Sequence, residues 1–343
     1  MRALVIHAEK DLRVEDREAL PPGPSEVQVA LAVGGVCGSD LHYYNHAGFG
    51  AVRLKEPMIL GHEVSGRISA LGAGVVGLSE GDLVAISPSR PCGICKYCVE
   101  GLRNQCLNMR FYGSAMPFPH IQGAFRETLV CDAAQCVKAE GLSAGEAAMA
   151  EPFSVTLHAA RRAGDLLGKR VLVVGCGPIG ALVISTVRRA GAAEIVATDI
   201  ADNALGYARR MGADTTLNVA ANPVALAPYL PDKGSFDVMF ECSGSEAALA
   251  QGIATVRPRG VVMQLGMGGD MKIPMQTITT REIDLRGSFR FHEEFGLAVH
   301  LMRTGLVDLK PLISHTLPLD RAVEAFDTAN DRRQAMKVQI AFN

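Results

Sequence analysis

The residues with the clearest chemical potential in this chain are four closely spaced cysteines. The string PCGICKYCVEGLRNQC has the spacing C-x2-C-x2-C-x7-C and contains Cys92, Cys95, Cys98 and Cys106. Four thiolates at this spacing can surround one Zn²⁺ ion in a closed tetrahedral site. Such a site is structural, because no coordination position is left for a substrate. The pattern therefore predicts a zinc-stabilised lobe over about residues 88–110.

A second set of potential metal ligands is dispersed along the chain. Cys37 lies in GGVCGSDLHYY, His62 and Glu63 lie in LGHEVSG, and Glu151 lies in MAEPFSV. Cysteine, histidine and carboxylate groups all bind zinc, and three such ligands plus water are typical of a catalytic site. Their spacing alone does not bring them together. Each could instead be a buried cysteine, a surface histidine or a solvated carboxylate.

A glycine-rich turn lies near the middle of the chain. The string Gly175-Cys176-Gly177-Pro178-Ile179-Gly180 has the pattern G-x-G-x-x-G. It follows an apolar run at 170–175, which predicts a buried strand, and it opens a predicted helix at 178–191. In this context the glycines allow a tight turn and close approach of a pyrophosphate, which the helix N-terminus attracts. The pattern therefore predicts a dinucleotide site.

An acidic residue ends the next predicted strand. Asp199 closes the run EIVATD at 194–199. At this position a carboxylate accepts hydrogen bonds from the adenosine ribose hydroxyls. Because a carboxylate repels a 2′-phosphate, we expect NAD to be preferred, with NADP still possible.

The elements that must position these residues differ between the two halves of the chain. Residues 1–150 predict short strands and loops, including the Val- and Gly-rich run VQVALAVGGVCGSD. After Pro152 the pattern becomes βαβ: strands at 170–175, 194–199, 236–242 and 260–266 alternate with helices at 178–191, 203–213 and 246–256. This alternation predicts a parallel, doubly wound sheet and an overall α/β class. We expect a cofactor domain at 153–291 and a β-rich domain at 1–152 and 292–343.

Composition excludes several classes of function. The 343 residues are 48% hydrophobic and 20% charged, with a net charge of -2 and no basic run, so no nucleic-acid partner is expected. The N-terminus MRALVIHAEKDLRV does not resemble a signal peptide. The uncharged run Val171–Val187 contains turn glycines and is short for a membrane span. We therefore expect a cytoplasmic protein without a membrane partner, whose clustered cysteines bind metal rather than form disulfides.

Taken together, these motifs resemble the zinc-dependent medium-chain alcohol dehydrogenases. The resemblance rests on GHE after a CGSD loop, the four-cysteine lobe, the AEP segment and G-x-G-x-x-G, in this order. It implies a GroES-like catalytic domain, a Rossmann domain, two zinc ions per chain and NAD. Glu151 resembles the sorbitol and polyol branch, since the ethanol-type enzymes have cysteine there. The strings PSRPCGICKYCVEGLRNQCLNMRFYGSAM and GMGGDMKIPMQTITTREIDLRGSFRF are most similar to members that oxidise a sugar acid.

The resemblance also implies roles for individual residues. Cys37 and His62 would bind the catalytic zinc, and Glu63 and Glu151 would complete its shell, one directly and the other directly or through water. Ser39 would accept the substrate proton, and His42 would relay it to solvent. Tyr43 would line the polyol pocket.

A sugar acid requires a cation for its carboxylate. Arg290 matches a substrate-contacting arginine of the polyol branch, and a phosphate contact or a surface ion pair is its alternative. Arg110 and His120 are further candidates near the four-cysteine lobe. The resemblance also implies a homo-oligomer, a dimer or a tetramer, with contacts at 284–288.

Three alternatives remain open. The chain could be a sorbitol, xylitol or threonine dehydrogenase on the same scaffold. It could be a zinc-ribbon nucleic-acid module fused to a nucleotide sensor, which the lack of a basic stripe disfavours. It could also be a catalytically silent NAD-binding regulator, which the presence of Cys37, His62, Glu63 and Ser39 disfavours.

Overall fold

The computed structural model describes residues 1–342, which form two compact units. The first unit comprises Met1–Glu151, Phe295–Asp331 and the chain from Lys337 onward; the second comprises Pro152–Glu294 and Arg332–Met336. Residues 332–336 thus cluster with the second unit, whereas the sequence analysis assigned them to the first domain.

We number the strands and helices along the chain. The strands are β1 (Arg2–Ala8), β2 (Asp11–Asp16), β3 (Glu26–Gly35), β4 (Gly48–Phe49), β5 (Val52–Arg53), β6 (Met58–Ile59), β7 (Glu63–Leu71), β8 (Leu83–Ile86), β9 (Ser89–Arg90), β10 (Arg110–Phe111), β11 (Thr128–Asp132), β12 (Cys136–Lys138), β13 (Arg170–Val174), β14 (Glu194–Asp199), β15 (Thr215–Asn218), β16 (Phe236–Glu241), β17 (Val256–Gln264), β18 (Asp284–Gly287), β19 (Ile313–Pro318) and β20 (Lys337–Ala341). The helices are α1 (Gly38–His46), α2 (Lys96–Val99), α3 (Ala144–Ala148), α4 (Ala150–Ala163), α5 (Pro178–Arg189), α6 (Asp202–Arg210), α7 (Glu246–Ile253), α8 (Met275–Thr280), α9 (Glu294–Arg303) and α10 (Ala322–Asn330).

The first unit is built on a seven-stranded sheet with the order β12-β8-β7-β3-β20-β19, in which β11 also pairs with β3. In β3, Val27, Val29 and Leu31 are buried at alternate positions, as expected for a strand with one face in the core. The C-terminal end of β3 pairs antiparallel with both β7 and β20. This pairing brings residues 63 and 337 next to the end of β3, where the catalytic candidates begin.

The second unit is a six-stranded parallel sheet with the order β15-β14-β13-β16-β17-β18. Val171, Leu172 and Val173 of β13 have no exposed surface, which is typical of a central parallel strand covered on both faces. The strand order reverses between β13 and β16, so the doubly wound prediction is confirmed. The carboxyl ends of β13 and β16 therefore form the crevice in which such sheets bind ligands.

The first half of the chain contains helices that the pattern did not predict. The Val- and Gly-rich run predicted as strand and loop ends as a strand at Gly35, and Cys37 then becomes the N-cap of α1 with φ -94 and ψ 158. The cause is local: Asp40, three residues on, accepts a hydrogen bond from the Cys37 backbone N–H and closes a capping box. The prediction of strands and loops alone was therefore wrong at this point, and α1 carries three candidate catalytic residues.

Candidate active site

Cys37, His62 and Glu63 converge at one end of the large sheet of the first unit. Cys37 caps α1 directly after β3, and Glu63 begins β7, which pairs with β3. One ligand atom from each of the three side chains lies within 4.8 Å of the others. Both His62 and Glu63 are buried, at 5% and 1% exposure. Residues that are 25 positions apart in sequence thus form one cluster, because the antiparallel pairing of β3 and β7 joins their ends.

Asp40 supports this cluster and was missed by the sequence analysis. Its carboxylate is fully buried and accepts hydrogen bonds from the backbone N–H groups of Cys37 at 3.0 Å and Gly61 at 3.1 Å. Its Oδ1 lies 3.8 Å from His62 Nδ1. At this distance the carboxylate acts on the His62 ring through its charge rather than through a hydrogen bond. The sequence signal was available, since Asp40 is the third residue after a capping position in CGSD.

Lys337 was also missed, although it makes the closest charged contact of the cluster. Its Nζ lies 2.8 Å from Oε1 and 2.7 Å from Oε2 of Glu63, and both side chains are almost completely buried. Burial alone would lower the pKa of Lys337, but the negative charge of Glu63 and Cys37 outweighs this effect and raises the pKa. The signal in the sequence was a lysine opening KVQIAF, a strand with no other charged residue.

Glu151 lies beside the cluster rather than within the group of three. It is 5% exposed, at the second position of α4. Burial raises its pKa to about 8, and the nearby charges of His62, Glu63 and Cys37 act on it as well. Glu151 is thus close enough to sense the cluster, but the 4.8 Å group that could hold a metal consists of Cys37, His62 and Glu63.

The electrostatics of the cluster fit a divalent cation. Burial, followed by repulsion from Glu63, raises the pKa of the Cys37 thiol, and burial raises the pKa of Asp40. The buried region contains several acidic side chains but, among the described residues, only one buried lysine, Lys337. His62 Nδ1 is buried without a hydrogen-bond partner in the described part of the chain. A sulfur, an imidazole nitrogen and a carboxylate oxygen form a donor set that zinc prefers, and its charge would compensate the buried acidic groups.

The three predicted catalytic residues of α1 have different surroundings. Burial raises the pKa of the Cys37 thiol, and the Ser39 side chain acts against this larger effect to lower it. His42 lies one helical turn after Ser39, on the same helix face, and its ring centroid is 6.2 Å from that of His46. Tyr43 is 4% exposed, and its hydroxyl accepts a hydrogen bond from the Ala115 N–H at 3.0 Å. The structure thus gives Tyr43 a fixed position, and Ser39 is near enough to Cys37 to act on the pKa of its thiol.

The four cysteines of the predicted lobe also converge. The sulfur atoms of Cys92, Cys95, Cys98 and Cys106 all lie within 4.8 Å of one another. Backbone N–H groups of Cys92 and Asn108 approach the Cys106 sulfur at 3.2 and 3.3 Å. Hydrogen bonds from the backbone at Ile94 and Cys95 lower the pKa of Cys92 to about 6. Donors aimed at sulfur favour the thiolate form, which is the form that binds zinc.

The glycine turn of the second unit has the geometry that a dinucleotide site requires. Gly175 follows β13 with φ 85, a backbone conformation that favours glycine. A side chain at Gly180 would meet the Gly175 carbonyl oxygen at 1.8 Å, whereas one at Gly177 would meet nothing within 4 Å. Gly177 is the N-cap of α5, and Pro178 is its first residue, followed by Ile179. The open space at Gly177 is where a phosphate can approach the helix N-terminus.

Asp199 connects this turn to the following loop. Its Oδ2 accepts a hydrogen bond from the Cys176 N–H at 2.6 Å, and its Oδ1 accepts from the N–H groups of Ile200 and Ala201 at 2.7 and 2.9 Å. The carboxylate is therefore held at the carboxyl end of β14, next to the glycine turn.

Arg290 belongs to the second unit and adopts a left-handed backbone conformation with φ 54. Its guanidinium carbon lies 4.8 Å from the centroid of the Phe289 ring. Backbone strain in a residue other than glycine is concentrated at functional sites. Of the other candidate cations, Arg110 is exposed. Both ring nitrogens of His120 already have partners: Nε2 accepts a hydrogen bond from the Lys55 N–H at 2.8 Å, and Nδ1 lies 2.9 Å from the Pro117 carbonyl oxygen.

Comparison with known proteins places this geometry in a family. Residues 23–141 match the model of the alcohol dehydrogenase GroES-like domain, and residues 178–304 match that of the zinc-binding dehydrogenases. The chain is 45% identical to L-idonate 5-dehydrogenase (NAD(P)(+)) of Escherichia coli over 92% of this chain and 91% of that protein. It is 35% identical to human sorbitol dehydrogenase over 95% of this chain and 92% of that protein.

A solved structure is similar to the whole fold. The crystal structure of L-idonate 5-dehydrogenase from E. coli matches with a TM-score of 0.95 and 42% identity, covering 99% of this chain and 98% of that one. Within residues 1–342, no helix combines the length and apolar character needed to cross a bilayer. The predicted fold class and enzyme class are confirmed, and the chain belongs to the zinc-binding dehydrogenases with a GroES-like domain, the zinc-dependent medium-chain alcohol and polyol dehydrogenase family.

Proposed function

We propose that this protein is a zinc-dependent, NAD(P)-linked L-idonate 5-dehydrogenase. The observation that carries the proposal is the 45% identity to the E. coli enzyme of that name over 92% of the chain. In the proposed reaction the C5 carbon of L-idonate transfers its hydride to NAD⁺ and the C5 hydroxyl gives its proton to the protein, giving 5-keto-D-gluconate and NADH reversibly. The Cys37, His62 and Glu63 cluster supports it, because it supplies a metal site of the type such an oxidation uses.

The protein's own residues account for holding the reactants and moving the proton. Bound Zn²⁺ would supply Lewis acidity that lowers the pKa of the substrate alcohol, and bound NAD would accept the hydride. Cys37 and His62 would hold the metal, with Glu63 or Glu151 completing its shell. Ser39, next to the Cys37 sulfur, would take the substrate proton, and His42, one turn away on the same face of α1, would pass it to solvent. Asp40 would act on the His62 ring through its negative charge.

We propose that Arg290 binds the substrate carboxylate. L-Idonate carries a carboxylate that sorbitol lacks, and a guanidinium binds a carboxylate through paired hydrogen bonds. The support for this role is the position of Arg290 in GSFRFHEEF, where the polyol branch has a substrate-contacting arginine.

Coenzyme binding is assigned to the glycine turn and to Asp199. Gly175, Gly177 and Gly180 shape the turn, and the N-terminus of α5 would face the pyrophosphate of bound coenzyme. Asp199 would accept hydrogen bonds from the adenosine ribose and disfavour a 2′-phosphate. We therefore propose that NAD is preferred over NADP.

The four-cysteine lobe would hold a second, structural zinc, so that each chain carries two zinc ions. We also propose that the chain forms a homo-oligomer and acts in the cytoplasm. The oligomer is supported by the exposed edge strand β18, and a reducing compartment is supported by the clustering of four cysteines in a metal-type group, which suits metal binding rather than disulfides.

The experiment that tests the function follows reduced nicotinamide by its absorbance. Purified protein is given L-idonate, D-gluconate or sorbitol with NAD or NADP, with and without a zinc chelator. We expect the highest kcat/KM with L-idonate and NAD, and loss of turnover after chelation. A higher kcat/KM with sorbitol would identify a polyol dehydrogenase instead. Coenzyme binding without turnover of any substrate would favour the silent NAD-binding regulator.

A further inference from the structure

The second unit contains a buried carboxylate that the proposed chemistry does not use. Glu241 is the last residue of β16 and has no exposed surface. Its Oε1 accepts hydrogen bonds from the Ser243 N–H at 2.8 Å, from the Ser243 hydroxyl and from the Gly244 N–H at 3.1 Å. Its Oε2 accepts from Gln264 Nε2 at 2.7 Å. A buried charge is tolerated only when donors compensate it in this way.

These hydrogen bonds join two loops that follow neighbouring strands. Ser243 and Gly244 lie in the loop after β16, whereas Gln264 ends β17. The main-chain carbonyl of Glu241 also accepts from the N–H groups of Leu265 and Gly266, both at 2.9 Å. Glu241 is thus bonded to both loops through its side chain and its backbone.

The two loops are packed so closely that the loop after β17 has no room for a side chain at the contact. A Cβ on Gly266 would lie 2.2 Å from the Gly244 nitrogen, and one on Gly268 would lie 1.9 Å from the Gly244 oxygen. The relative position of the loops therefore depends on backbone contact and on the Glu241 carboxylate between them.

The position of these loops in the sheet suggests what they face. A doubly wound sheet consists of two mononucleotide-binding halves, and the dinucleotide lies across the carboxyl ends of the strands where the order reverses. The glycine turn and Asp199 follow β13 and β14, which form one half. The loops held by Glu241 follow β16 and β17, which belong to the other half. The half opposite the adenosine site receives the nicotinamide mononucleotide.

Gln264 provides a second observation. Its Nε2 donates to Glu241 Oε2 and to the Gly266 carbonyl oxygen, both at 2.7 Å, so the orientation of the amide is determined. Its Oε1 is buried and has no hydrogen-bond partner within residues 1–342. Glu241 therefore holds an acceptor in a fixed direction beside the two loops.

We propose that Glu241 is a positioning residue for the nicotinamide half of the coenzyme: it holds the loops after β16 and β17 in the arrangement that binds this half. The inference rests on the proposed function, since it requires NAD as the coenzyme. Glu241 acts through the loops and through Gln264 and does not itself react. A purely structural role would affect both halves of the coenzyme site equally.

The test compares the binding of NAD⁺ with the binding of AMP by isothermal titration calorimetry. AMP occupies the adenosine half alone. In Glu241→Gln an NH₂ donor replaces one of the two oxygen acceptors. It then faces N–H donors of Ser243, Gly244 or Gln264, so hydrogen bonds between the loops are lost. We expect the Kd for NAD⁺ to rise at least tenfold and the Kd for AMP to change less than twofold. As a matched control, Asp199→Asn should weaken the binding of both ligands.

Because loss of a buried carboxylate can unfold a domain, Gln264→Met is the second variant. It removes the Nε2 donor but keeps the length of the side chain, and it should raise the Kd for NAD⁺ without changing that for AMP. Folded variants that bind NAD⁺ as the wild type does, or that lose AMP and NAD⁺ equally, would overturn the inference. Wild-type protein that binds neither nucleotide would overturn the proposed function and this inference with it.

Discussion

Single buried charges determine what the candidate active site can bind. Cys37, Asp40, Glu63 and Glu151 place acidic groups in a buried region, with Lys337 as the opposing lysine. Lys337 contacts both oxygens of Glu63, so Glu63 cannot be a metal ligand with both oxygens unless this ion pair changes. The choice between Glu63 and Glu151 as the carboxylate ligand therefore depends on Lys337.

Lys337→Met should destabilise the metal-free protein by about 3–5 kcal/mol, because it leaves the Glu63 charge buried without its partner. The double variant with Glu63→Gln should recover most of this loss, as measured by urea unfolding. Lys138→Met is the matched control: it removes a partly exposed pair with Asp82 at 2.8 Å and should cost at most about 1 kcal/mol. If Lys337→Met loses no more unfolding free energy than Lys138→Met, the buried ion pair does not contribute as expected.

Arg290→Leu should raise KM for L-idonate at least tenfold, about 1.4 kcal/mol, while KM for sorbitol changes less than twofold. The reason is that only the sugar acid carries the carboxylate. Arg259→Leu is the control, since Arg259 also has a left-handed backbone, φ 59, and its side chain pairs with Glu282 on the surface. Equal effects of Arg290→Leu on both substrates in steady-state kinetics would refute the carboxylate assignment.

At the scale of elements, turns and a metal lobe carry the functional residues. The strand–turn–helix of 170–189 depends on glycines for two different reasons. Gly180 is required by the protein itself, because its Cβ would collide with the Gly175 carbonyl. A Cβ at Gly177 would meet no protein atom within 4 Å, so any need for glycine here comes from a bound ligand.

Gly177→Ala should thus leave the melting temperature of the coenzyme-free protein nearly unchanged and weaken NAD binding at least tenfold. Gly180→Ala should instead lower the melting temperature in the absence of coenzyme. Differential scanning fluorimetry with and without NAD separates the two effects. Normal NAD affinity in Gly177→Ala would show that the pyrophosphate does not approach this residue.

The four-cysteine lobe, at about residues 88–110, has little apolar core of its own. Its one α-helix, α2, has four residues, and Ile94, Val99 and Leu107 are 84%, 76% and 63% exposed. A segment that exposes its apolar side chains gains little stability from burial, so metal ligation must supply it.

Cys95→Ser should accordingly reduce zinc from two ions per chain to one and lower the melting temperature. Any catalytic activity that remains should keep an unchanged KM, because the lobe takes no part in the proposed chemistry. Cys136→Ser, which lies outside both clusters, should retain both ions. Elemental analysis combined with melting curves provides the measurement, and two zinc ions per chain in Cys95→Ser would exclude the structural site.

At the scale of the whole molecule, we expect the proposed homo-oligomer to form through an edge of the parallel sheet. β18 pairs with β17 on one side and ends the strand order of the sheet. Leu285 in this strand is 42% exposed. An exposed edge strand with an apolar side chain is suited to pairing with a second chain.

Leu285→Asp should therefore shift the protein toward smaller species in sedimentation velocity experiments, since a buried charge disfavours pairing of the edges. Val323→Asp is the control, because Val323 is 46% exposed but lies on α10 of the first unit. An unchanged sedimentation coefficient in Leu285→Asp would place the oligomer contact elsewhere.

Much of this architecture follows from local patterns in the chain. The alternation of apolar runs and helices after Pro152 predicts the doubly wound sheet, because each strand and helix is specified by its own residues. The strand at 194–199 is observed with the predicted bounds. Helix α1 was not predicted, since the Val-rich strand before it obscured the capping signal of Asp40.

The sequence by itself determined the types of site: a four-cysteine lobe, a glycine turn that opens a helix, and zinc-type residues near β3. These features are encoded within a few neighbouring residues. Only the tertiary structure decided that Cys37, His62 and Glu63 meet, that Lys337 pairs with Glu63, and that Glu241 joins two loops. Such contacts form between residues distant along the chain, and they depend on strand pairing and burial that no local pattern contains.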